Sequence, residues 1–489
     1  MGRKFMAMLG TGNYSKCGYS NGKECIETRF TQEAIIKMYM KDISEEDEIV
    51  IFLTEKSKNM NWENGDNIKN GIKNTIYRLE GLTDEAKEQI DKILCNYKGY
   101  EDQVEKNGKI GLKEVLQSNF SKAKIKYVNI NDGKNEQELW DTFNKILDEI
   151  NDDDQIIFDI THGFRSTPMQ ILVVLNYAKV IKKNVKIKGI YYGAFENRDN
   201  VTNIAPIFDL SNYDEILDWT AAADSFIKYG ISNQISYLCE NTVTHNSNKL
   251  APIKKFANSL KTFTSCIETS RGRIVSKSDC KNNVRRAQKS ISKAYEDVNE
   301  NLNNFKEDEK QSIQPLEKLL TKIEERLSEF KCDSNFNVGM SAIRWCYENN
   351  MIQHAYTALN ETIKTYLCDK YRIENCKKTE RDDIVKWALT TKLHEQKISK
   401  DKAEEKSKEK DEYLKQKINL IIKTVPEEIV NLSDKISKIR NDMDHFGYTE
   451  ESRTYDEIQK KLKEHIDKFE EIIEKYKDVD FSSSEDDNY

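Results

Sequence analysis

The chain is poor in the residues and segments that mark several common classes of protein. It contains only five prolines in 489 residues, which suits a chain rich in helices. No apolar run approaches the roughly 20 residues that a membrane-spanning helix needs, and the opening MGRKFMAMLGTG is interrupted by glycine too early for a signal peptide. With 33% charged residues and a mean hydropathy of −0.77, the composition predicts a soluble protein, and we expect it in the cytoplasm.

The ten cysteines and six histidines are too scattered to predict a metal site. No CxxC pair occurs, and the spacing fits neither a zinc site nor the disulfide framework of a secreted protein. We therefore expect neither a metal nor a cofactor.

The overall charge gives no reason to expect a nucleic-acid-binding surface over the whole protein. The net charge is −7, so any contact with RNA must be local, and DNA is not an expected partner. One local excess of positive charge lies between Lys249 and Lys289, where eleven Lys and Arg accompany two acidic residues. Such a run predicts either a solvated helical face or a basic path for nucleic acid, and the sequence leaves both open.

Residues 1–210 alternate between strand and helix patterns. Five short apolar runs rich in Ile and Val are typical of buried strands: KFMAML (4–9), DEIVIFL (47–53), KIKYVNI, QIIFDI (155–160) and VKIKGIYY (185–192). The stretches between them, such as TPMQILVVLNYAKVI, repeat apolar residues at helical spacing. This alternation predicts a Rossmann-like domain with a parallel-type sheet covered by helices. Further helices are expected around LEGLTDEAKEQIDKILCNY.

Strand patterns are absent after residue 210, and the rest of the chain is predicted to be helical. We expect a helical linker region at 211–335 and a helical domain at 336–478. Within that domain, the charged stretch 394–416 predicts a protruding helix or a mobile insert. The acidic tail 479–489 is expected to be disordered.

The loops after the strands are the expected ligand site, because parallel α/β sheets bind ligands at the carboxyl ends of their strands. GTGNYS (10–15) lacks the third glycine of a dinucleotide fingerprint. THGFRS (161–166) is more informative, since it precedes a helix whose predicted N-cap is Ser166 or Thr167. A helix start with His162, Gly163 and Arg165 beside it predicts a site for a phosphate or another anion.

Near the end of the chain, RNDMDHFGY combines Arg440, Asn441 and His445 with a helix stop at Gly447. His445 is expected in the last helical turn, where the helix dipole favours the protonated imidazole. A histidine that moves a proton and an arginine that holds phosphate oxygens suggest metal-free RNA cleavage. The alternative is a capping histidine with Arg440 paired to an acidic neighbour such as Asp444, and the spacing alone favours this alternative.

Taken together, these motifs resemble a CRISPR-associated CARF–HEPN ribonuclease, an accessory effector of type III CRISPR systems. The resemblance covers most of the chain. It rests on GTGNY, on DITHGFRSTPMQ, on NDGKNEQELW, on MIQHAYTALNETIKTYL and on RNDMDH. It implies an N-terminal α/β CARF domain that senses a cyclic oligoadenylate, followed by an all-α HEPN ribonuclease domain.

The resemblance also implies functional residues and partners. A homodimer or a higher oligomer would bind cyclic tetra-adenylate, or less readily cyclic hexa-adenylate, as an allosteric activator. Two copies of Arg440, Asn441 and His445 would then form one metal-independent site that cuts single-stranded RNA and leaves a 2′,3′-cyclic phosphate. The activator would contact Gly10, Thr11, Gly12, Asn13, Tyr14, Thr54, Thr161, His162, Gly163, Phe164, Arg165, Ser166 and Tyr192.

Three other functions fit parts of the sequence. A non-catalytic regulator would keep the ring site and would be indifferent to replacement of His445. A nucleotide-cofactor enzyme would need the complete glycine fingerprint, which is missing. A HEPN toxin with an unrelated trigger would differ in the specificity of its activator.

Overall fold

The computed structural model describes residues 2–12, 14–63, 110–241, 250–274, 290–308, 314–374, 380–395, 412–448 and 452–482, with isolated positions at 83, 86, 89 and 450. The chain divides into two compact units, Met1–Glu215 and Ile216–Tyr489. The helices predicted around LEGLTDEAKEQIDKILCNY lie outside the described residues. No helix within the described ranges is both long and apolar enough to cross a bilayer.

The first unit contains an eight-stranded sheet among its described residues. The strands are β1 (Arg3–Leu9), β2 (Cys17–Ser20), β3 (Cys25–Thr28), β4 (Glu48–Leu53), β5 (Lys124–Asn129), β6 (Gln155–Asp159), β7 (Lys186–Gly193) and β8 (Ile204–Asp209). Their order is β3-β2-β8-β7-β6-β1-β4-β5. The central strands β7, β6, β1, β4 and β5 pair in parallel, and these are the five strands predicted from the sequence.

The prediction of a parallel-type sheet was incomplete, because the sheet is mixed. β8 runs antiparallel to β7, and β3 runs antiparallel to β2. These three strands at one edge were missed. β2 and β3 have four residues each, and β8 contains Pro206, so none carries a long apolar signal.

The central strand β1 is buried on both faces, as expected for a parallel sheet covered by helices. Phe5, Ala7 and Leu9 face one apolar core, while Met6 and Met8 face the other. Helices α1 (Thr31–Tyr39) and α2 (Leu112–Asn119) supply the first core, and α3 (Glu136–Asp148) and α4 (Thr167–Ile181) supply the second. This arrangement leaves the carboxyl ends of the parallel strands as the edge where loops gather.

The second unit is helical in all its described parts. Its helices are α5 (Ser211–Tyr229), which crosses the division between the units, α6 (Asn233–Asn241), α7 (Leu250–Glu268), α8 (Ile291–Asp308), α9 (Gln314–Ser328), α10 (Asn335–Glu348), α11 (Ile352–Lys370), α12 (Trp387–Glu395), α13 (Glu412–Thr424), α14 (Glu427–Asp444) and α15 (Tyr455–Lys475). A π-helical turn, Arg381–Lys386, precedes α12. Of the charged stretch 394–416, the structure describes only the end of α12 and the start of α13.

One apolar core joins the two regions predicted as linker and HEPN domain. It runs from Trp219 to Phe481. Trp345 on α10 lies near its centre, with ring centroids 5.5 Å from Phe263 on α7 and 6.3 Å from Phe330 after α9. Phe481 is 5% exposed, so the packed unit includes the start of the tail that was expected to be disordered from residue 479.

Candidate functional site: sensor loops and a helix end

Two loops after neighbouring strands lie side by side at the carboxyl edge of the sheet. Residues 10–15 follow β1 and residues 161–166 follow β6, and β1 pairs with β6. The rings of Tyr14 and His162 are tilted against each other, with centroids 4.6 Å apart. The structure therefore brings together two motifs that are about 150 positions apart in the sequence.

The first loop is held by an amide that the sequence analysis missed. Asn61 donates from Nδ2 to the carbonyl oxygens of Gly10 at 2.9 Å and Gly12 at 3.0 Å. Arg29 donates in turn from Nη2 to Oδ1 of Asn61 at 3.2 Å. Nothing in the sequence pointed to Asn61, because it follows β4 and has no motif around it. Asn13 lies outside the described residues.

Gly10 is required at its position by close packing. Its N–H donates to the hydroxyl of Tyr14 at 2.8 Å. A Cβ at this position would lie 2.7 Å from the same hydroxyl oxygen and 3.4 Å from Cβ of His162. Thr11 and Gly12 are exposed, so the loop presents its backbone to a ligand while Tyr14 supports it from below.

The second loop is anchored on the buried carboxyl group of Asp159, the last residue of β6. Oδ1 of Asp159 accepts hydrogen bonds from the N–H and the hydroxyl of Thr161, and the Thr161 hydroxyl accepts one from the N–H of Gly193 at 2.8 Å. Gly163 has a φ of 127°, a conformation that strongly favours glycine. Phe164 and Arg165 are exposed, so they form the outer part of this loop.

The start of α4 offers less to an anion than the sequence predicted. Ser166 occupies the N-cap position, as expected, but its side chain makes no capping hydrogen bond. The N–H of Thr167 donates to the carbonyl oxygen of Phe164 at 2.9 Å, and Pro168 has no N–H. Fewer N–H groups are therefore available than at an ordinary helix start.

Burial shifts the pKa values of Asp159, at the base of the second loop, and His162, within that loop, in opposite directions. It raises the pKa of the Asp159 carboxyl to about 7, and Oδ2 of this carboxyl has no hydrogen-bond partner among the described residues. Burial also lowers the pKa of His162 to about 4. His162 is therefore a neutral imidazole at pH 7, and Arg165 rather than His162 supplies positive charge in the loop.

Two predicted ligand residues have structural contacts of their own. Thr54 is 6% exposed, and its hydroxyl caps the short helix Glu55–Ser57 by accepting from the N–H of Ser57 at 3.2 Å. The ring of Tyr192 stacks on that of Phe208 in β8, with centroids 6.4 Å apart. Their roles in ligand binding stay predictions.

The second candidate site lies at the end of α14. The helix ends at Asp444, one residue earlier than the sequence suggested, so His445 is the C-cap residue rather than part of the last turn. The N–H of Gly447, where φ is 74°, donates to the carbonyl oxygen of Asp442 at 2.9 Å and closes the helix end. Asn441 and His445 are exposed.

Arg440 is paired with an acidic residue, as the alternative interpretation of the sequence proposed. Its Nε lies 3.2 Å from Oδ2 of Asp444, and Gln353 on α11 donates to Oδ1 of the same carboxylate at 3.4 Å. The pair is partly exposed, and a helical ion pair at this spacing contributes only about 0.3–0.5 kcal/mol. A phosphate can therefore replace Asp444 at little cost. Among the described contacts, no hydrogen bond or ion pair joins Arg440 to His445.

The loop after His445 is fixed by a buried carboxylate. Asp442 is 3% exposed and accepts a hydrogen bond from the N–H of Arg453 at 3.0 Å. The guanidinium of Arg453 lies 3.7 Å from the same oxygen, Oδ2. Asp442 thus ties the segment leading into α15 to the end of α14, and no motif in the sequence marks it.

The described part of the basic stretch resembles an ordinary solvated helix. Lys254, Lys255 and Lys261 are exposed on α7, while Phe256 and Leu260 are buried. The remaining basic residues from 275 to 289 lie outside the described residues, and the prediction of a nucleic-acid path stays open.

Comparison with known proteins identifies relatives of both units. Residues 4–196 match the family model for the CARF domain of the CRISPR system endoribonuclease Csx1. Residues 215–335 match the model for the second domain of CRISPR-associated protein MJ1674. These matches support a CRISPR-associated protein whose first unit contains a CARF domain. Neither of these two models extends to Arg440 and His445.

One curated relative spans much of the chain. The CRISPR-associated protein MJ1674 of Methanocaldococcus jannaschii is 27% identical over 346 residues, which cover 70% of this chain and 45% of the relative. The chain thus matches less than half the length of that protein.

Proposed function

We propose that the chain is a cyclic oligoadenylate-activated endoribonuclease of type III CRISPR defence, which cuts single-stranded RNA without a metal ion. The observation that carries the proposal is the position of Arg440, Asn441 and His445 at the end of α14, where Arg440 is partly buried and the other two are exposed, in a chain whose residues 4–196 resemble the CARF domain of an endoribonuclease. Cyclic tetra-adenylate is the expected activator.

The sensor loops provide suitable groups for a ring of nucleotides. Thr11 and Gly12 present backbone that packing leaves exposed, and Arg165 supplies a cation for a phosphate. The neutral ring of His162 stands next to Tyr14 and can donate or accept a single hydrogen bond. The uncharged His162 and Tyr14 side chains suit the bases of such a ligand, and the Arg165 cation suits its phosphates.

The helix end provides the groups for RNA cleavage by the neighbouring ribose hydroxyl. In this reaction the 2′-oxygen forms a bond to phosphorus while the bond from phosphorus to the 5′-oxygen breaks. One His445 accepts the proton of the 2′-hydroxyl, and the His445 of a second copy gives a proton to the leaving 5′-oxygen. Arg440 leaves Asp444 and holds the phosphate oxygens.

An exposed apolar stripe on α4 supports the homodimer that this mechanism needs. Met169, Val173, Tyr177 and Val180 are between 47% and 80% exposed, although the opposite side of the helix is buried in the core. The repeat of three or four positions places them on one face. Such a stripe is unusual on a monomer and suits a self-complementary contact between two copies.

The proposal is tested by cleavage of a fluorescent single-stranded RNA in EDTA, with cyclic tetra-adenylate, with cyclic hexa-adenylate and with neither. Cleavage should require a ring, and His445→Ala should lower the rate by at least about a hundredfold. His394→Ala is the matched control, because His394 is an exposed histidine on α12. Tight ring binding without cleavage in the wild type would favour a non-catalytic regulator instead.

A further inference from the structure

Two aromatic side chains beside His445 are exposed without a packing role. Phe446 and Tyr448 are each 89% exposed, more than any other large apolar side chain in the described part of the helical unit. Phe446 follows His445 directly. The N–H of Tyr448 donates to the carbonyl oxygen of His445 at 3.0 Å, so the chain folds back and keeps Tyr448 close to the histidine.

The backbone holds these rings outward. Phe446 has a φ of 55°, a conformation that a bulky side chain rarely adopts. Its N–H donates to the carbonyl oxygen of Met443 at 3.0 Å, and the buried Asp442 binds the N–H of Arg453 farther along the loop. A defined turn, rather than a frayed helix end, therefore presents both rings to solvent.

We propose that Phe446 and Tyr448 form a stacking site for nucleobases of a single-stranded RNA, placed so that the neighbouring phosphate reaches His445. This inference rests on the proposed function and adds the residues that hold the substrate. Aromatic rings bind unpaired bases through their faces, and every base has such a face, so the site tolerates many sequences. Bases inside a duplex have no free face and are excluded.

The size of the surface favours bases over a protein partner. Two aromatic side chains bury roughly 150–250 Å² each, whereas a stable protein interface needs about 800 Å² from each partner. Asn441 and Asp444, which precede the rings by a few positions in the chain, are exposed polar and charged residues. A few flat, partly polar groups therefore suit this surface better than a second copy of the chain.

The test separates stacking from cleavage by measuring RNA binding in the His445→Ala background. A short RNA containing 2-aminopurine is titrated with the full chain in EDTA and cyclic tetra-adenylate, and quenching of the base reports stacking. Phe446→Leu and Tyr448→Leu remove a ring but keep an apolar side chain, while Phe446→Tyr and Tyr448→Phe keep a ring. Tyr229→Leu changes another exposed tyrosine, on α5, as the control.

Each leucine variant should weaken RNA binding by about fivefold or more and lose quenching, and the ring-preserving variants should bind as the parent does. An RNA with abasic sites should bind the parent and the leucine variants alike. With His445 present, replacing Phe446 or Tyr448 by leucine should raise KM more than it lowers kcat. Equal binding by all variants would overturn the proposal.

A fall in molar mass in the leucine variants would also overturn it, because the rings would then belong to a contact between copies. RNA binding that depends on the aromatic side chains of Phe446 and Tyr448, in a chain that cuts no RNA, would support the stacking site and reject the proposed nuclease activity. The two failures are thus distinguishable.

Discussion

Asp159 makes the stability of the unit that carries the loops after β1 and β6 depend on pH near neutrality. Burial raises the pKa of this carboxyl to about 7, against about 4 for an unburied aspartate. The folded state therefore binds the proton more tightly than the unfolded state does. The stabilisation is complete below about pH 4 and is lost as the pH rises through 7.

Asp159→Asn should abolish this dependence, because an amide does not ionise. Between about pH 5 and pH 8 the wild type should lose about 2.5 kcal/mol of stability relative to the variant, out of the roughly 4 kcal/mol that a pKa shift of about three units contributes over the full pH range. Urea unfolding of the ligand-free chain at both pH values checks the sign. His162 is common to both proteins and cancels in the comparison. A difference in stability that is the same at both pH values would contradict the assignment.

Asp444→Asn should release Arg440 for the RNA phosphate. The lost ion pair is partly exposed, so stability should change by no more than about 0.5 kcal/mol. Ring-stimulated cleavage should rise up to about threefold, seen mainly as a lower KM, because the guanidinium no longer has to leave its partner.

Asp434→Asn provides the matched control for this variant. Asp434 pairs with Lys438 at 2.9 Å with the same four-residue spacing on the same helix, so its loss should leave cleavage unchanged. Cleavage that falls below the wild-type rate in Asp444→Asn alone would mean that Asp444 takes part in catalysis itself.

Among the elements, α4 carries two apolar faces, one buried and one exposed. Ile171, Val174 and Leu175 pack in the core, and Val173 and Val180 stand outside it. Val173→Glu combined with Val180→Glu should convert a dimer into a monomer, because charges placed in a contact between identical faces repel. Light scattering measures the molar mass.

Val201→Glu is the control for the α4 variant, since Val201 is 94% exposed outside the helix. It should remain a dimer. If the α4 variant keeps the wild-type mass while folding normally, the copies meet through another surface.

The sequence predicted the elements with strong periodicity and missed those set by distant partners. The five parallel strands each carry a continuous apolar run, whereas the edge strands β2 and β3 are too short to show one. Likewise, glycine-rich loops and THGFRS stood out locally. Asn61 and Asp442 acquire their roles only through hydrogen bonds to residues 51 and 11 positions away, so no local pattern marks them.

For the whole molecule, activation by a ring requires that binding in one unit change the affinity of the other for RNA. Such coupling is reciprocal for binding free energies. The His445→Ala variant can bind RNA without cutting it. In this variant, saturating single-stranded RNA should therefore increase the affinity for the cyclic oligoadenylate by a certain factor, and the cyclic oligoadenylate should increase the affinity for RNA by the same factor. Calorimetric titrations in both directions give the two factors. Factors of one in both directions would show that the ring leaves RNA affinity unchanged and acts only on the chemical step.

The shared core of the helical unit limits how this protein can be divided. Trp345 packs against Phe263 and Phe330, so we expect residues 215–335, which match the second-domain model, to unfold together with the helices that lead to His445. A fragment beginning at residue 336 would lose the core side chains from Trp219 to Phe330 and should aggregate when expressed, because the side chains that they cover would face water. An exchange of the effector half between relatives should therefore be made near residue 215, where the compact units divide, and not at 335.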